Sequence, residues 1–184
     1  MSRNSSLAAI VAMIAILCSQ QLFAQSGYGK NQDLTASATV YQPLTIGSVS
    51  NFNFGNIKLG YNPIVNPQTG VASNILSNSS VGGMVVNGSA SAKVIFTWTN
   101  QIDLTSGANT MKYTADVFGG NAGAQGSSVQ LTSGSTAVTL TGGSCQVWVG
   151  GELFDGVLGT AVVPTTQATG TYSGTLNLAV DYYQ

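Results

Sequence analysis

The chain has 184 residues, enough for one domain with a proper core, and only 6% of them are charged: five Lys or Arg against six Asp or Glu, with no histidine. Without histidine there is no imidazole metal ligand and no conventional catalytic triad. After the opening segment only Lys30, Lys58, Lys93 and Lys112 remain as cations, too few and too scattered for a nucleic-acid surface.

Met1–Ser6 carries Arg3, and Leu7–Leu17 is an unbroken apolar run that ends before Ser19-Gln20-Gln21. About 20 apolar residues are needed to span a membrane, so the pattern reads as a secretory signal peptide, residues 1–24, cut after Ala24. Export follows, to the periplasm, cell surface or medium. Residues 25–33 are a polar leader, and 34–184 form a single domain.

Leu34, Ala36, Ala38 and Val40 alternate with Thr35, Ser37 and Thr39, the period of a β-strand. Two readings of this strand stay open. It can close its own domain, with Pro43 as a break before Leu44-Thr45-Ile46, or it can be donated to the open edge of another copy. Asn51–Ile57 alternates again. Val81–Val86 and Ala92–Trp98 flank Asn87-Gly88, which predicts a tight hairpin. Ala92, Val94, Phe96 and Trp98 share one face, as do Met111, Tyr113, Ala115 and Val117.

Gly119–Ser128 is low in complexity and reads as an exposed loop. Short strands are expected at 129–131, 137–140, 145–149 and 157–163. Gly170–Gln184 reads as one long closing strand, with Tyr172, Leu176, Leu178, Val180 and Tyr182 inward, and needing neighbours on both edges. Some ten short strands and no helical period predict an all-β fold, an antiparallel two-layer β-sandwich of immunoglobulin-like or pilin-like type.

Pro43–Ile46, Asn53–Ile57, Val149–Leu153 and Gly170–Thr175 resemble the exported bacterial domain-of-unknown-function family numbered 4402, over roughly Leu34 to Tyr183. Those motifs are turn and core positions and imply a fold without an active site. The closing strand is also similar to that of pilins assembled by the chaperone–usher route. In those, a glycine about fourteen residues from the end and a penultimate aromatic serve assembly, which here implies Gly170 and Tyr183. The disulfide common in such pilins cannot form, because Cys145 is the only cysteine after residue 24.

Glu152 and Asp155 are the only close acidic pair in sequence and read as a solvated turn rather than a catalytic pair. No catalytic, metal or cofactor residue is assigned. Cys145 shares parity with Val147 and Val149, which predicts a buried, inert thiol. Trp148 has the opposite parity and is the candidate for stacking on a sugar ring, against packing under a loop. The expected function is a non-enzymatic structural or adhesive surface subunit, a pilus-like building block whose partners are copies of itself or other surface subunits. The alternatives are a monomeric glycan- or protein-binding module and, behind it, a small outer-membrane barrel.

Overall fold

The computed structural model describes residues 35–154 and 162–184. The signal segment, Leu34, Asp155 and residues 157–161 of the strand expected over 157–163 lie outside them. The chain divides into two compact units, Met1–Thr39 and Val40–Gln184. Of the first, Thr35–Thr39 are exposed and in no strand. The second is all-β, and its sheets are antiparallel and open, as the alternating sequence predicted.

The larger sheet has β1 (Thr45–Ser50), β6 (Gly82–Asn87), β12 (Ser144–Phe154), β9 (Asn109–Gly120) and β8 (Gln101–Ser106) side by side. Short strands β3 (Ile64–Val65) and β4 (Ala72–Ser73) extend it beyond the end of β6, and β10 (Val129–Gln130) pairs the far end of β9. The second sheet is β11 (Ala137–Thr139), β7 (Lys93–Trp98) and β13 (Leu178–Tyr182). A two-stranded ribbon joins β2 (Asn56–Ile57) to β5 (Ile75–Ser77).

The centre of the fold is the β9–β12 ladder, in register from Gly120 opposite Gln146 to Lys112 opposite Phe154. Met111, Tyr113, Ala115 and Val117 from β9 and Cys145, Val147, Val149 and Leu153 from β12 point into one core. Val94 and Phe96 of β7 close it from the second sheet, both fully buried. Apolar residues at every second position supply this face, and full burial of one such side chain is worth about 1.5–3 kcal/mol. Gly150 and Gly151 interrupt the pattern because the chain crosses here. A Cβ on Gly150 would lie 2.2 Å from the Val65 carbonyl oxygen, and Gly151 has a φ of 137°.

Several local expectations are corrected. Residues 35–44 form no strand, so Thr35–Val40 do not make the expected strand and the first strand among the described residues is β1. Asn87-Gly88 does not close a hairpin, since β6 and β7 belong to opposite sheets and residues 88–92 carry the chain across. Gly88 is required by closeness instead: a Cβ there would meet Tyr182 Oη at 2.5 Å. The segment 119–128 is not wholly exposed; Ser128 is 2% exposed and donates from Oγ to the Gln125 carbonyl at 2.6 Å, ending a short 3-10 turn. Glu152 lies within β12 and is half-buried, not in a turn. Val163 is buried but in no strand. The closing strand is confined to Leu178–Tyr182. Upstream, Ser173 bridges Thr105 of β8, so the tail changes sheets before it reaches β7.

Candidate functional site: an open sheet edge

β1 and β13 each pair on one side only among the described residues. β1 lies along β6 with Ile46 opposite Val86 and Val49 opposite Met84, and an irregularity between them shifts the register. Residues three apart normally face opposite ways. The bulge inserts one extra position and turns both Ile46 and Val49 to the same side. Directly opposed residues share a face, and Val86 and Met84 are buried at 0% and 8% exposure, so Ile46 and Val49 are on the core side of the sheet. They are nevertheless 53% and 70% exposed. The core side of β1 is therefore uncovered.

Among the described residues the second sheet stops at β13. Leu178, Val180 and Tyr182 oppose Trp98, Phe96 and Val94 and pack on the core, yet all three are only half-buried, as is Leu176 before them. An unpaired strand edge beside a bare strip of core is a template for one further strand.

One end of this opening is pinned. The rings of Tyr41 and Tyr182 stack with centroids 4.7 Å apart. Tyr182 Oη donates to the Gln42 carbonyl at 2.6 Å and accepts from Ser89 N–H at 2.8 Å. Gln42 N–H donates to Ser89 Oγ at 2.7 Å. One residue earlier, Val40 is 91% exposed.

The residues singled out from sequence are dispersed. Ala36, Ala38 and Val40 are exposed and unpaired. Gly170 packs against β8, where a Cβ would lie 2.6 Å from Ser106 Oγ, and Tyr183 is 50% exposed at the end of β13. Trp148 is on the outer face of β12, as its parity requires, but is only 6% exposed. The segment from Pro63 to Pro67 passes over this face, and Gln125 Nε2 and Gln68 Nε2 tie it down through the carbonyls of Pro67 and Ser128. Trp148 therefore offers no exposed ring face for a sugar to stack on. Cys145 is fully buried, and burial pushes its thiol up to about 11.

Sequence spacing missed a pair of acids that the β9–β12 ladder brings together. Asp116 opposes Gly150 and Glu152 opposes Thr114, so both carboxylates lie on the outer face as diagonal neighbours. Burial and then the charge of Glu152 raise the Asp116 carboxyl above its usual range, while Gln130 lowers it. Asn62 Nδ2 donates to Glu152 Oε2 at 3.1 Å. Among the described residues no three acidic, cysteine or histidine side chains converge to hold a metal, and no helix is long and apolar enough to cross a membrane. The Tyr41–Tyr182 contact and the bare face of β1 also escaped the sequence, because a bulge and a 141-residue separation leave no periodic signal.

No family model matches the chain, and no curated protein matches it.

Proposed function

We propose that this chain is an exported, non-enzymatic surface building block that joins copies of itself by β-strand addition. The observation that carries the reading is the exposure of Ile46 and Val49 on the core side of β1, together with a second sheet whose last described strand, β13, is paired on one side only. The incoming strand is the arm Leu34–Val40 of another copy. Its alternating Leu34, Ala36, Ala38 and Val40 supply one apolar row for the bare strip, and its backbone supplies the hydrogen bonds that β13 lacks. Seven extended residues span about 23 Å, enough to run the length of β13. Low net charge suits such assembly, since copies repel one another weakly. Burial of Trp148 removes the aromatic on which a glycan-binding reading would rest.

The reading is tested on unboiled denaturing gels. The chain starting at Gln25 should give a ladder of multimers. The chain starting at Tyr41, and the arm-bearing double variant Ile46→Lys/Val49→Lys, should run as monomers. A ladder that persists in the double variant would sink the proposal.

A further inference from the structure

A subunit that carries both an open edge and a spare strand has a competitor for its own groove, namely its own arm. A segment tethered a few residues away has an effective concentration on the order of mM, so self-closure outruns pairing with another copy unless geometry prevents it. The contacts at Tyr182 provide that geometry. Tyr41 and Gln42 are fixed by a ring stack and two hydrogen bonds, at 2.6 Å to Tyr182 Oη and 2.7 Å to Ser89 Oγ. Gly88 presses against the same point, where an added Cβ would lie 2.8 Å from Leu44 Cδ2. Pro43 stiffens the next step by fixing φ.

The anchored point lies at the C-terminal end of β13. An arm that folded back from it along β13 would run in the same direction as β13. It would also need to reverse within Tyr41–Leu44, the segment the contacts hold. An arm from a second copy carries no such constraint and can pair antiparallel, the slightly more stable arrangement per residue.

We propose that the Tyr41–Tyr182 clasp is a positioning device that keeps the arm out of its own groove and commits it to a second copy. This rests on the strand-addition reading. Tyr182→Phe removes the hydroxyl and both of its hydrogen bonds but keeps the ring. The multimer fraction, read by light scattering, should fall about tenfold, the factor that corresponds to the one of these two bonds that holds Gln42, at ordinary net strength. The monomers that accumulate should have their own arm in place. They should therefore not bind a labelled synthetic peptide of residues 34–40, whereas Tyr182→Phe in the chain starting at Tyr41 should bind it. If Tyr182→Phe assembles like the parent, or if its arm-less form also refuses the peptide, Tyr182 merely packs and the clasp proposal is overturned. If the parent neither assembles nor, without its arm, takes the peptide, the strand-addition reading itself fails and takes the clasp with it.

Discussion

Val49 stands directly across the ladder from Met84, yet Met84 is 8% exposed and Val49 is 70% exposed. The two side chains point to the same side of one sheet and differ only in what lies above them. Met84 is covered by the second layer; Val49, one strand further out, is not.

That difference makes the first prediction. Met84→Lys places a charge in the core and should cost several kcal/mol against a total stability of about 5–15 kcal/mol. Val49→Lys, on the same face, should change the stability of the isolated chain by no more than about 0.5 kcal/mol, while abolishing multimers. Denaturant melts of both variants, lacking the arm, check the contrast.

The faces of β13 can be tested in the same way. Leu178 opposes Trp98 and packs on the core, whereas Asn177 is exposed. Leu178→Asp should cost about 1–3 kcal/mol, the penalty of an unsatisfied polar group, reduced from its full value because the site is half open. Asn177→Asp should cost little. Equal costs in urea unfolding would mean that the strand is turned over.

Alternation made these faces readable from the sequence: the inward rows of β7, β9, β12 and β13 are all as the period of two requires. What stayed hidden has physical causes. Gly170–Asn177 alternates like a strand, but Ser173 bridges β8 while Leu178 pairs β7, and periodicity does not say which sheet a residue joins. Asn87-Gly88 has hairpin composition, yet Gly88 answers to Tyr182, 94 residues away in the chain. Ile46 and Val49 have opposite parity, and only the bulge between them puts both on the core side. Trp148 has an outward parity and is still buried, on a face that Val65 and Pro67 approach at Gly150, two residues on.

Cys145 should be chemically silent in the native chain. With its thiol raised to about 11 by burial, the thiolate fraction at neutral pH is very small. A thiol reagent should label the denatured protein quickly and the native protein slowly. Cys145→Ala should cost about 1 kcal/mol or somewhat more through the cavity left behind. Fast native labelling would contradict its placement.

Asp116 should give stability an inverse dependence on pH. Its folded carboxyl is raised above its unfolded value near 3.9, so the folded state holds its proton more tightly. Its contribution is full below about pH 3.9 and is lost as pH rises through the folded value. Asp116→Asn should flatten that part of the melting-temperature profile and raise the plateau at neutral pH. A variant whose profile follows the parent's throughout would contradict the burial of the Asp116 carboxyl.

The most direct measurement of strand addition is amide hydrogen exchange on the chain starting at Tyr41, with and without a synthetic peptide of residues 34–40. The peptide should slow exchange along Leu178–Tyr182, where the outer backbone groups of β13 gain partners, and a scrambled peptide should not. Unchanged exchange across β13 with saturating peptide would contradict the account.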